Sequence, residues 1–219
     1  MKNKIILGID TSTDNCSVAL LKNNEIIGKR SEIAKSAHSE KLIAFIHEIL
    51  GETKISIKDL DAIGVNIGPG SFTGLRIGLS MAKGLTFPYD IPIYPIKSIP
   101  TLILSNEQKE NTFYFIKSHK NMIFYHNYRE KNQNILDVKI EYGDMAEIIN
   151  NQKDINIVGN FDFVEISEKN NKVIYPTGQS VARLVYENFD KLKQNSDNDI
   201  EPYYLTSFQT QKWSGNKKK

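Results

Sequence analysis

Two short stretches combine residue types that can handle an anion. Asp10-Thr11-Ser12-Thr13 ends the apolar run of residues 4–9. An aspartate at a strand end can serve Mg²⁺, and the amides and hydroxyls after it can receive phosphate. Phosphate loops of this kind place glycine after the aspartate so that backbone can approach the anion, whereas here Thr11 and Ser12 bring Cβ atoms. The competing reading is a polar turn that bridges its own amides. The second stretch, Gly68-Pro69-Gly70-Ser71-Phe72-Thr73-Gly74, follows an apolar run at residues 62–67. It lacks the Gly-Lys-Ser/Thr ending of a nucleotide-phosphate loop and the spacing of the dinucleotide Gly-x-Gly-x-x-Gly motif. It can still open a helix whose N-terminus attracts anions.

Ser71 or Thr73 is placed to cap that helix, which is expected to run to about Phe87, before Pro88. Within it Gly74, Gly78 and Ala82 fall at i, i+4 and i+8, on one face. Each interior glycine costs about 1 kcal/mol of helix stability relative to alanine. Such a face implies close packing, either against the chain's own sheet or against a foreign helix. A ladder of three small residues favours the foreign helix.

Other residues offer less chemistry. The histidines His38, His47, His119 and His126 form no ligand pair at helical spacing, so no metal site is expected and surface or capping roles are. The single cysteine, Cys16, excludes an intramolecular disulfide and reads as a small buried residue of a strand. Arg76 is expected to form a salt bridge. No Ser-His-Asp or Cys-His arrangement can be assembled.

The elements that position these residues follow from apolar patterning. Residues 4–9 form a nearly continuous apolar strand, Cys16 to Leu21 a second, Asn23-Asn24 a two-residue hairpin turn and Glu25 to Arg30 a third. A helix beginning at Ser36 or His38 carries the stripe Leu42, Phe45, Ile46, Ile49 and Leu50 and is expected to end at Gly51. Residues 62–67, the glycine-flanked helix, a strand at 91–96 and a helix from a Ser98 cap to about Ser105 follow. The order β-β-β-α-β-α-β-α is the half-molecule pattern of the actin, sugar-kinase and Hsp70 superfamily, with mixed sheets flanked by helices.

A polar linker at 106–111 marks a boundary between a first domain, residues 1–105, and a smaller α/β domain, residues 106–206. The second part is expected to hold strands at 112–117, 122–128, 135–140 and 155–158, and a helix near 145–150. Helix 179–189 could return to the first domain, residues 190–199 read as a polar loop, and residues 207–219 as a disordered tail. Tyr203-Tyr204 could anchor the C-terminus on the first domain. The composition, 40% apolar and 25% charged, is that of a soluble globular protein. Its net charge of +2 is supplied by Lys217, Lys218 and Lys219 and predicts no nucleic-acid binding by itself. No long apolar run or leader is visible, so a cytoplasmic protein without membrane association is expected.

Residues 7–20, His38-Ser39-Glu40, residues 60–63 and the run from Gly68 to Gly78 together resemble the TsaB (YeaZ) family, specifically over about residues 5–100. Family members usually carry an Asp-Ala-Arg-like turn where this chain reads Lys117-Ser118-His119-Lys120. The resemblance implies an actin-like (ASKHA, ribonuclease H-like) two-lobed α/β protein that is not itself a catalyst and binds no cofactor alone. It implies a paralogous partner, TsaD, which holds metal and ATP and transfers threonylcarbamoyl to N6 of adenosine 37 in tRNA. It also implies the small ATPase TsaE in a larger assembly, a homodimer through the same helix face, and only indirect contact with tRNA. On this reading Gly70, Ser71, Phe72, Thr73, Gly74, Leu75, Gly78, Met81 and Ala82 form the partner face, and Asp10, Thr11 and Ser12 a vestigial phosphate loop. The rival reading is a stand-alone actin-like ATP-dependent phosphotransferase. A metallopeptidase finds no support in the residues.

Overall fold

A computed structural model describes residues 3–107, 111–129, 134–150, 156–161, 171–194 and 199–205. The first lobe is a five-stranded sheet of β1 (Ile5–Asp10), β2 (Asn15–Lys22), β3 (Glu25–Ile33), β4 (Ala62–Gly68) and β5 (Ile93–Lys97) in the order β3-β2-β1-β4-β5. β1, β2 and β3 pair antiparallel, and β1, β4 and β5 pair parallel. Asn23 and Asn24 take φ of 52° and 72°, the twist that a two-residue hairpin requires. Helices α1 (His38–Thr53), α2 (Phe72–Thr86) and α3 (Ser98–Ser105) connect the strands.

Alternation along β1 assigns its two faces. Leu7 and Ile9 join Leu42, Ile46, Leu79 and Ala82 in the core under α1 and α2. Ile6 points the other way, into a cluster with Val181, Ala182, Leu184 and Val185 of α5 (Gly178–Glu187). The helix at 178–187 thus packs on the first sheet. It approaches across Gly8 and Gly64, which are register partners on β1 and β4. A Cβ on Gly8 would overlap the Gly178 carbonyl, and one on Gly64 would lie 2.7 Å from Val185.

The second sheet has the order β10-β9-β6-β7-β8 and is built from β6 (Thr112–Lys117), β7 (Met122–Tyr128), β8 (Glu141–Asp144), β9 (Asn156–Gly159) and β10 (Asn171–Val173). Tyr114, Ile116, Phe124 and Tyr128 pack toward Ile99, Leu102 and Ile103 of α3. Phe113, Phe115 and Ile123 pack toward Met145 and Ile149 of α4 (Met145–Asn150). Two mixed sheets with helical layers make this a two-lobed α/β protein, and the first lobe keeps the β-β-β-α-β-α-β-α order expected of an actin-like half.

Several expectations are corrected. Gly51 does not end α1, which continues to Thr53 and closes where Lys54 adopts the left-handed conformation, φ 56°. β3 extends past Arg30 to Ile33. Ser98 is the first residue of α3 rather than its cap; its hydroxyl donates to Asn66 instead. Residues 135–140 are not a strand: a 3-10 turn spans Ile135–Asp137 and pairing begins at Glu141. The loop expected after residue 190 begins as a helix, α6 (Phe189–Gln194). Residues 207–219 lie outside the described residues. Among the described residues no helix is long and apolar enough to cross a membrane.

Candidate functional site

The loop after β1 closes on itself. Asp10, Thr11 and Ser12 are all buried. Asp10 Oδ1 accepts from the Ser12 amide at 3.0 Å and from the Ser12 hydroxyl at 2.8 Å, and Oδ2 accepts from Asn66 Nδ2. Asn66 in turn accepts from the Gly68 amide and from Ser98 Oγ, each at 2.8 Å. Burial pushes the Asp10 carboxyl up to about 6, against the opposing pull of these hydrogen bonds. The carbonyl of Ser12 accepts from the Ser71 amide at 2.7 Å, and Gly70 lies against that carbonyl so closely that a Cβ would overlap it. His38, expected at the surface or as a cap, is buried with Nε2 2.8 Å from the Thr13 carbonyl. The amide that a phosphate would need at Ser12 is therefore already donated, and the competing reading of a self-bridged turn describes the geometry. Asn66, a lone amide in an apolar strand, is the hub that the sequence reading missed.

The small face of α2 is also filled from within. Ser71 is the N-cap, its side chain accepting from the Gly74 amide at 3.2 Å. Thr11 Oγ1 donates to the Gly74 carbonyl at 2.7 Å. A Cβ on Gly74 would collide with the Thr11 carbonyl, and one on Gly78 would stand 2.5 Å from Thr11 Oγ1. Gly74, Leu75, Gly78 and Ala82 are buried. The expectation that this ladder receives a foreign helix is corrected: its occupant is the protein's own β1 and the loop that follows.

The opposite side of α2 is open. A groove of about 600 Å³ runs along Phe72, Ile77, Met81 and Leu85 and is bounded by Ile43 of α1. Ile43 is 58% exposed, and beyond the helix end Phe87 is 88% exposed. A Cβ on Gly84, in the same groove, would meet nothing within 4 Å. Of the residues expected at a partner face, Gly70, Ser71, Phe72, Thr73 and Met81 retain exposed surface. Arg76 makes no ion pair among the described residues. It lies 3.7 Å over the Phe72 ring and donates from Nε to the Tyr204 hydroxyl at 3.1 Å. Tyr203 donates its amide to the Ile67 carbonyl at 2.7 Å, so the Tyr203-Tyr204 pair does fasten the chain end to the first lobe.

A larger cleft of about 880 Å³ lies between the lobes. Ser12, Thr13, Lys35 and the Pro69–Phe72 segment (69–72) form one wall, and Lys117, Ser118, His119, Asn160 and Phe161 the other. Asn160 fixes the second wall by accepting from the Lys117 amide at 2.8 Å. Elsewhere His126 is buried on β7, its Nδ1 2.9 Å from the Lys139 carbonyl, and His47 is exposed. Cys16 is buried in β2, and burial pushes its thiol up to about 12. Among the described residues no three His, Cys, Asp or Glu side chains are grouped to hold a metal.

Comparison with known proteins gives a consistent pattern. The model of the family described as TsaD: tRNA N6-adenosine threonylcarbamoyltransferase matches residues 22–203. The tRNA threonylcarbamoyladenosine biosynthesis protein TsaB of Haemophilus influenzae is 30% identical, with 94% of each chain covered. TsaB of Buchnera aphidicola from Acyrthosiphon pisum is 32% identical over 74% of this chain and 84% of its own. The tRNA N6-adenosine threonylcarbamoyltransferase of Staphylococcus aureus (strain Newman) is 37% identical, but over 50% of this chain and 37% of its own. Among solved structures, YeaZ from Pseudomonas aeruginosa superimposes with a TM-score of 0.75 at 20% identity, covering 92% of this chain and all of that one.

Proposed function

Because this chain belongs to the TsaB family of tRNA threonylcarbamoyladenosine biosynthesis proteins, we propose that it is the non-catalytic subunit that binds and activates TsaD. The observation that carries this reading is the apolar groove on the outer side of α2. Ile43, Ile77, Met81 and Leu85 present it, and Gly84 lets a second backbone come close without meeting this chain's own atoms. Apolar side chains at helical spacing on an unpaired face are what a helix of another subunit would cover. The closed Asp10 loop supports the non-catalytic half of the reading, since its amide and both carboxylate oxygens are already engaged. The metal and ATP of the transfer reaction belong, on this reading, to TsaD, and tRNA meets the assembly through that subunit. The same groove would serve a homodimer when TsaD is absent, TsaE would join the larger assembly, and the setting would be the cytoplasm.

The test mixes this chain with TsaD of the same organism and measures complex formation by size-exclusion chromatography. Ile77→Asp together with Met81→Asp should abolish the complex while circular dichroism of the isolated chain stays near wild type; both side chains also pack partly against the first lobe's core, so some loss of melting temperature accompanies the pair. Association that survives this pair of charges would exclude the groove as the docking face. ATP hydrolysis by the isolated chain would instead support the phosphotransferase reading.

A further inference from the structure

We propose that the groove beside α2 selects a partner helix whose apolar stripe is edged by two carboxylates, one for Arg76 and one for Lys83, and disfavours a second copy of this chain. This choice of occupant rests on the groove being the docking face. Arg76 lines the groove and is exposed. Its guanidinium lies over the Phe72 ring, and its Nε–H is given to the Tyr204 hydroxyl rather than to a carboxylate. Lys83 follows seven residues later, two turns along the same side of α2, exposed and without an ion pair among the described residues. α2 contains no acidic residue, and neither does the lining of the groove. On α1, Glu48 and Glu52 are engaged by Arg30. Glu40 of α1 and Asp90 beyond the end of α2 lie outside the lining.

A helix that caps this groove removes water from Arg76. A cation covered without a counter-charge is costly, and a purely apolar helix would impose that cost in full. A carboxylate within reach of the guanidinium offsets it with charge-assisted hydrogen bonds, and the Phe72 ring beneath holds the planar fork in place to receive them. Seven helical residues separate Arg76 from Lys83 by about 10 Å, so acids at i and i+7 of a helix lying along α2 match both. The salt bridge that the sequence suggests for Arg76 then comes from outside the chain. Two other occupants suit the apolar floor but not the charge. A symmetric homodimer sets the same lining against itself, so Arg76 meets no carboxylate from it and the cations of the two copies repel. Residues 206–219, which follow the contact of Tyr204 with Phe72, carry four lysines and no acid.

Calorimetry of the full chain with TsaD of the same organism, at about 50 and about 500 mM NaCl, tests this, with self-association followed by sedimentation equilibrium in the same buffers. The complex should weaken about tenfold at the higher salt, where charge pairs at a rim are screened. At the lower salt Lys83→Gln should weaken it about threefold and Arg76→Gln about tenfold, and the double variant should bind almost independently of salt. A substitution that merely unsettled α2 would weaken binding at both salts and keep the salt dependence. Self-association should be absent, or else weakest at low salt and strengthened by the same two glutamines. A homodimer that is tightest at low salt, or a TsaD complex that ignores both salt and the glutamines, overturns the inference. If TsaD binds at neither salt, or still binds the variant with Ile77→Asp and Met81→Asp, the docking reading fails and this inference fails with it. If that variant loses TsaD while salt and the glutamines change nothing, the docking face stands and the carboxylate-edged partner alone is refuted.

Discussion

Replacing Gly78 with alanine puts a methyl carbon 2.5 Å from Thr11 Oγ1, while its other neighbours, Ile9 and Val65, remain at an ordinary 3.6 Å. One oxygen is therefore the whole obstruction, and it is held in place by its 2.7 Å hydrogen bond to the Gly74 carbonyl. Alanine would gain about 1 kcal/mol of helix propensity. Against that stand an overpacking cost of roughly 1–3 kcal/mol and the hydrogen bond, worth about 1 kcal/mol, that Thr11 loses by turning away. A net loss of about 2 kcal/mol should lower the melting temperature of a chain this size by roughly 4–8 °C. Thr11→Ala alone should cost about 1 kcal/mol for the lost hydrogen bond. In the double variant the new methyl enters the space that the hydroxyl left, so it should be more stable than additivity allows by about 2–3 kcal/mol. Urea unfolding of the four proteins measures this cycle without any partner present. If Gly78→Ala is as stable as wild type, or if the two effects simply add, the inner face of α2 is not packed as described and the foreign-helix reading returns.

Two further outcomes can be measured the same way. Asp10, raised from 3.8 to about 6, keeps its proton in the folded chain at pH values where the unfolded chain has lost it, so its contribution to stability is fully present below pH 4 and falls by about 3 kcal/mol as pH rises through 6. Asp10→Asn removes this titration, and its stability relative to wild type should improve by about that amount between pH 4 and pH 7.5; an offset equal at both pH values would contradict it. Gly51→Ala, in the last turn of α1 with open space around the new Cβ, should raise stability by about 0.5 kcal/mol, and a loss would mean that α1 does not run through that position.

Much of the fold was legible because the buried strands are apolar and short, and because Asn23-Asn24 can adopt the hairpin conformation that few residue pairs accept. The errors have specific physical sources. Gly51 looked like a helix stop, yet the left-handed residue that closes α1 is Lys54, three positions later. Leu136, Val138 and Ile140 alternate as a strand would, but Val138 and Ile140 are buried as an extended segment before pairing starts at Glu141. In the site, the spacing of Gly74, Gly78 and Ala82 showed that something comes close and could not show what, since a strand loop of the same chain and a foreign helix demand the same missing side chains. Asn66 left a fainter signal, one amide in a run that is otherwise apolar, and its partners Asp10 and Ser98 are 56 and 32 residues away.

The seating of α5 on the first sheet bears on how the chain matures. A ribosome releases residues 1–105 long before it makes the helix that covers one side of their sheet. Until residues 178–187 emerge, Ile6, Leu21, Ala62 and the strip around Gly8 and Gly64 have no apolar cover from that helix. N-terminal domains ordinarily fold first during synthesis, but this lobe must wait for the last third of its own sequence. An expression fragment cut at residue 105 would carry that bare face permanently and should aggregate, whereas one that ends after α6 retains both lobes' covers.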